Sequence, residues 1–87
     1  MDRQELKSVI EGLLFVSGDE GLEPKQIAEV LDLMQNEVVS LIDEMKEEFK
    51  TQKRGIQIIE VAGTYQLATK PEHAPFFEKL ATSPSQA

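Results

Sequence analysis

Apolar residues recur at the spacing of a helix face in the first half of the chain. One stripe consists of Leu6, Ile10, Leu13 and Leu14. It predicts a first helix from about Arg3 to Ser17, which a glycine at position 18 ends. Pro24 predicts the start of a short second helix that ends at about Asp32. Proline suits the first helical position because the N–H of that position has no partner within the helix. A third helix, from about Gln35 to Thr51, carries the stripe Val38, Leu41, Ile42, Met45 and Phe49.

The period of the pattern changes from 3.6 to two after residue 55. Two short runs alternate apolar and polar residues, the first around Ile56 and Ile58 and the second around Tyr65 and Leu67, and they predict two strands. The residues between them predict a tight hairpin of type II′, with Gly63 at the first central position where φ is positive.

A last short helix is predicted after Lys70-Pro71. One of its faces consists of His73, Phe76, Phe77 and Leu80. We expect at least one of the two phenylalanines to dock on the core of its own domain. The following residues, TSPSQA, have the composition of a linker.

Three helices followed by a two-stranded hairpin is the element order of a winged helix-turn-helix domain. The predicted fold class is therefore mainly α with a small β hairpin: three helices, a two-stranded wing and a short C-terminal helix. We expect residues 1–80 to form this domain and residues 81–87 to lead toward a second domain that is absent from this chain. A chain of 87 residues holds one small core.

The formal net charge of -7 argues against DNA binding, which draws most of its affinity from Lys and Arg on phosphates. Helix three would enter the major groove. Its predicted solvent face carries Glu37, Ser40, Glu44, Glu47 and Glu48, against the cations Lys46 and Lys50. A basic trio, Lys50, Lys53 and Arg54, could touch one phosphate or simply favour the helix dipole.

The residue types that catalysis needs are scarce in this sequence. It has one His, no Cys and no glycine-rich phosphate loop, so we predict no enzyme, no cofactor and no metal site. The adjacent carboxylates Glu47 and Glu48 are interpreted as a solvated helix face. His73 has no second ligand four residues on and is interpreted as a packing residue. The charged N-terminus and the lack of a long apolar run predict no signal peptide or membrane span, and we expect a cytoplasmic protein.

The first helix carries more apolar side chains than one core-facing stripe can use. Val9, Phe15 and Val16 lie outside the centre of the stripe, and Phe15 points almost opposite to Leu13. Phe15 could turn toward the hairpin or last helix of its own chain, or it could lie at an interface. We predict a protein interface formed by Val9, Phe15 and Val16, with Phe76 as a further member.

Two long segments resemble segregation and condensation protein B, the ScpB family. The segment 10–18, IEGLLFVSG, is similar to the opening helix of that family, and the segment 55–75, GIQIIEVAGTYQLATKPEHAP, resembles its hairpin and the turn that follows. The resemblance covers about Ser8 to Leu80. Family members are similar to two winged-helix domains in tandem, so this chain resembles a fragment cut near the domain boundary.

The resemblance implies a non-enzymatic subunit of the bacterial SMC-kleisin condensin complex. Such a subunit would form a homodimer through these domains, bind the kleisin ScpA and, through ScpA, associate with the SMC ATPase at the nucleoid. An alternative is a winged-helix transcriptional regulator that binds DNA, and another is a structural domain with no partner of its own. Retardation of duplex DNA that disappears when the basic trio is changed to Ala would favour the regulator.

Overall fold

The computed structural model describes residues 1–82. Four α-helices and one hairpin follow each other along the chain: α1 (Arg3–Ser17), α2 (Pro24–Leu31), α3 (Gln35–Thr51), β1 (Ile56–Val61), β2 (Thr64–Thr69) and α4 (Ala74–Thr82). Single 3₁₀ turns follow α1 and precede α4. The element order confirms the predicted winged helix-turn-helix fold. The predicted linker 81–87 lies largely outside the described residues.

The predicted ends of α1 and α3 are confirmed, and their local chemistry explains them. Asp2 caps α1, accepting from the Glu5 N–H at 2.9 Å while the Glu5 carboxylate accepts from the Asp2 N–H at 3.3 Å. Helix α2 ends one residue earlier than predicted, at Leu31, because Asp32 adopts the left-handed conformation with φ of 56°.

The predicted type II′ turn is wrong. Val61 pairs directly with Thr64, so the two central residues of the turn are Ala62 and Gly63. Both have positive φ, 52° and 83°, which is the geometry of a type I′ turn with Gly63 at the second central position. Type I′ requires positive φ at both positions, and the twist of the two strands selects it even though Ala62 is not a glycine.

The core lies where α1, α2 and α3 meet the inner face of the hairpin. Its largest fully buried side chains are Ile10, Leu14, Ile27, Val38, Leu41, Ile42 and Met45. Ile58 and Tyr65 close this core from the two strands. The apolar stripes predicted for the first and third helices therefore face the same core.

The loop between α1 and α2 is joined to the hairpin. The Leu22 N–H donates to the Tyr65 carbonyl at 2.9 Å, and the Tyr65 N–H donates to the Leu22 carbonyl at 2.8 Å. Leu22 thus acts as a one-residue third strand beside β2. The approach is close at Gly21, where a Cβ would lie 2.7 Å from the Tyr65 carbonyl oxygen.

The expectation that the last helix docks on its own core is wrong. No residue of α4 is buried, and Phe76 and Phe77 remain 67% and 43% exposed. The core is already closed by the other helices and the hairpin, so the apolar face of α4 finds no groove to fill. His73 packs edge-on to both phenylalanine rings, with centroid distances of 6.5 Å, as expected for a packing residue.

Candidate protein-interaction surface

Helix α1 has two apolar faces, of which the domain covers one. Ile10 and Leu14 are fully buried, whereas the neighbouring Phe15 and Val16 are 75% and 78% exposed. Adjacent residues on a helix differ by about 100°, so a side chain next to a core position is turned away from the core. The interpretation in which Phe15 packs on its own hairpin or last helix is therefore wrong.

The four predicted interface residues are all accessible. Val9 is 36% exposed and lies on the same side of α1 as Val16, two turns later. Phe76 lies on a different element, α4, where His73 is its aromatic neighbour. The structure thus groups Val9, Phe15 and Val16 on one helix and places Phe76 apart from them along the chain.

Further apolar side chains, beyond the four predicted interface residues, are exposed. They are Val30, Met34, Val61, Phe77 and Leu80, each between 43% and 68% exposed. Phe77 and Leu80 follow a helical period that looks like a core stripe. The five side chains are spread over α2, the residue before α3, β1 and α4, so their number alone does not define one contact surface.

Charged side chains join the first half of α1 to α3. Arg3 forms a bidentate pair with Glu44, and the Lys7 Nζ lies 2.9 Å from Glu44 Oε1 and 2.6 Å from Glu48 Oε2. The Lys7 side chain is only 9% exposed. The sequence could have predicted this burial, because Lys7 lies on the same face of the helix as Ile10 and Leu14. A buried ammonium group requires a carboxylate partner.

This network perturbs the titration of its members. Hydrogen bonds from Arg3 and then from Lys7 lower the pKa of the Glu44 carboxyl from 4.5 to about 2. The carboxylates of Glu48 and then Glu44 raise the pKa of Lys7. A carboxyl with a lowered pKa stabilises the fold above its ordinary pKa, and this contribution is lost as the pH falls from about 4.5 toward 2.

We expect Glu44→Gln to lower the melting temperature near neutral pH and to leave it nearly unchanged in acid. The difference from the parent chain should shrink as the pH falls from about 4.5 toward 2, because protonation of the Glu44 carboxyl removes the same charge that the substitution removes. Melts followed by circular dichroism over this range measure it. Glu47→Gln is the matched control, since Glu47 makes no ion pair within residues 1–82; a pH-independent gap for Glu44→Gln would contradict the account.

The predicted acidic face of helix three is divided by these contacts. Glu44 and Glu48 turn toward α1, which leaves Asp43 and Glu47 exposed on the free side of α3. The basic trio is divided as well, because Arg54 lies 3.6 Å from Glu11 and stacks on Phe49 with a centroid distance of 4.9 Å. The helix that would enter the major groove therefore presents carboxylates, and one of the three cations is engaged within the domain.

Neither a metal-ligand cluster nor a membrane-spanning helix occurs within residues 1–82. Residues 1–82 contain no cluster of three or more His, Cys, Asp or Glu side chains placed to hold a metal ion. Among the helices described there, none has both the length and the apolar character needed to cross a bilayer.

Known proteins resemble this chain in both sequence and fold. A family model described as segregation and condensation complex subunit ScpB matches residues 8–87. Segregation and condensation protein B of Brevibacillus brevis is 58% identical over 87 residues, which are all of this chain and 45% of that protein. The chain spans about half the length of the curated relatives it matches.

Solved structures give the same result. The crystal structure of a dimer of the ScpB N-terminal domain complexed with ScpA peptide is 44% identical, has a TM-score of 0.85 and overlaps 88% of this chain and 95% of that chain. ScpB from Mycobacterium tuberculosis is 25% identical with a TM-score of 0.88, over all of this chain and 54% of that one. Because the family model matches nearly the whole sequence, this chain belongs to the ScpB family of segregation and condensation complex subunits.

Proposed function

We propose that residues 1–80 form the N-terminal winged-helix domain of an ScpB subunit that forms a homodimer and binds the kleisin ScpA. Through ScpA the subunit would join the SMC ATPase in chromosome condensation and segregation. In this role it is non-enzymatic, acts in the cytoplasm at the nucleoid and needs no cofactor of its own. Residues 81–87 would lead to a second domain.

One observation carries this proposal. The relative whose structure is a dimer of the ScpB N-terminal domain with ScpA peptide matches 88% of this chain at a TM-score of 0.85. The exposed apolar side chains of α1 support it independently, because a monomer of this size gains nothing from exposing Phe15 and Val16 to water. A regulator that binds DNA is less well supported, since carboxylates occupy the free side of α3.

We assign the dimer contact to the surface formed by Val9, Phe15 and Val16 on α1, with Phe76 on α4 as its second part. Aromatic residues at the centre of an interface contribute most to its free energy, and Phe15 is the most exposed aromatic residue of the domain at 75%. A small polar side chain at this position removes that contribution without disturbing the core on the opposite face of the helix.

We expect Phe15→Ser to weaken self-association by about tenfold or more, the effect of losing one interface anchor. Sedimentation equilibrium measures the dimer dissociation constant, and titration with ScpA peptide measures kleisin affinity in the same samples. Val30→Ser is the matched control, because Val30 is 65% exposed on α2, outside the proposed surface. If Phe15→Ser stays folded and changes neither quantity, the assignment of this surface is wrong.

A further inference from the structure

The outer edge of β1 has backbone groups that point away from the hairpin. Both backbone groups of Tyr65 bond to Leu22, so they face away from Glu60, the residue opposite Tyr65 in the hairpin. Bonded and non-bonded pairs alternate in an antiparallel ladder. Two further non-bonded positions on β1 are therefore Ile58 and Ile56, and the N–H and C=O groups of these three residues point outward.

These outward groups have no protein partner within residues 1–82. The sheet contains only β1 and β2, and the backbone hydrogen bonds of the turns and caps do not reach Ile56, Ile58 or Glu60. A strand edge of this kind can accept an additional strand, because the unpaired donors and acceptors are already in register.

A groove runs beside this edge, between β1, the second half of α3 and the turn after β2. Its volume is about 480 Å³. Phe49 and Ile56 form apolar parts of its wall. A strand added to β1 would therefore place alternate side chains against an apolar surface.

Three lysines line the groove: Lys46, Lys50 and Lys70. None of them makes an ion pair within the described part of the chain, whereas Arg3, Lys7 and Arg54 all do. The groove also contains two carboxylates, those of Glu47 and Glu72. Lys46 also lies over the Tyr65 ring, with its Nζ 5.4 Å from the ring centroid. The lysines outnumber the carboxylates, so the groove has a small positive excess in a chain with a net charge of -7, and this excess favours a ligand of opposite charge.

We propose that the β1 edge and its lysines bind an extended acidic segment of a partner protein as an added strand. The backbone of the segment would pair with Ile56, Ile58 and Glu60, and its carboxylates would meet the three lysines. A second copy of β1 fits less well, because that strand carries one carboxylate, Glu60, for three lysines. This proposal goes beyond the proposed function and does not rest on it.

The test is a titration of the ¹⁵N-labelled chain with the end-capped peptide (Val-Glu)₄, followed by amide chemical shifts. We expect saturable shifts at Ile56, Ile58 and Glu60 and along the second half of α3. The peptide (Val-Lys)₄ has the same strand propensity and the opposite charge, and it should cause no comparable shifts. Absence of shifts with (Val-Glu)₄ at millimolar concentration, or equal shifts with both peptides, would overturn the proposal.

Two pairs of variants separate the charge from the backbone contribution. Lys50→Glu with Lys70→Glu should weaken (Val-Glu)₄ binding by about tenfold or more, whereas Lys25→Glu with Lys79→Glu, the same charge change elsewhere, should alter it by less than about twofold. Glu60→Pro removes an outward N–H that no ladder bond uses and should weaken binding, while Glu60→Ala should not. Equal effects within either pair would overturn the proposal, as would the same amide shifts on concentrating the chain without peptide, which would identify a second copy as the occupant.

Discussion

We expect Gly21→Ala to destabilise the domain by about 2–4 kcal/mol, from a left-handed backbone that disfavours a Cβ and from a forced displacement of neighbouring atoms. Gly21 has φ of 73°, and a Cβ there would lie 2.7 Å from the Tyr65 carbonyl oxygen. That oxygen accepts the hydrogen bond from Leu22 and cannot move without opening the bridge. Urea denaturation of the parent and variant at low protein concentration measures the difference.

The matched control for this change is Gly18→Ala. Gly18 also has positive φ, 59°, but a Cβ there would meet no atom within 4 Å. Its cost should therefore be the backbone contribution alone, about 1–2 kcal/mol. If the two variants lose the same stability, the close approach of the α1–α2 loop to the hairpin does not matter for the fold.

We expect Leu14→Ala to cost about 2–5 kcal/mol, the range for a fully buried leucine that leaves a cavity. Leu14 is 0% exposed at the centre of the core. Its neighbour Phe15 supplies the matched control, because Phe15→Ala should change the stability of the monomer by no more than about 0.5 kcal/mol. The stability of the monomer is obtained from the dependence of unfolding on protein concentration, since dissociation of a dimer would otherwise add to the measured stability.

Similar losses in the two variants would mean that Phe15 packs inside its own domain. A large loss for Leu14→Ala alone would instead separate the residue that holds the fold from the residue assigned to the interface. The second outcome supports the proposed interface, because it shows that Phe15 is not needed for the stability of the monomer.

The helices could be predicted from the sequence because their apolar stripes, their caps and Pro24 all indicate the same limits. The turn type could not be predicted, because Gly63 can take either the first or the second central position of a two-residue loop. The choice depends on how the two strands pair. The position of α4 could not be predicted either. A helical period identifies an apolar face on Phe76 and Phe77, but the pattern does not say what covers that face.

The candidate surface could be predicted in part from the helical period of α1. Phe15 points almost opposite to Leu13 around the helix axis, so it lies outside the core-facing stripe, and the structure confirms that Phe15 is exposed. The ion pairs of Glu44 and Glu48 depend on how α1 crosses α3, which the sequence does not encode locally. The open edge of β1 depends on the bridge at Leu22, a single residue with no strand pattern of its own.

The measurement that tests the proposed function most directly is the molar mass of this chain by light scattering over a wide range of dilution. The account predicts a mass near twice 9.8 kDa that persists at low concentration. A mass of one chain at every concentration would contradict the proposed homodimer and the assignment of Phe15 to its contact.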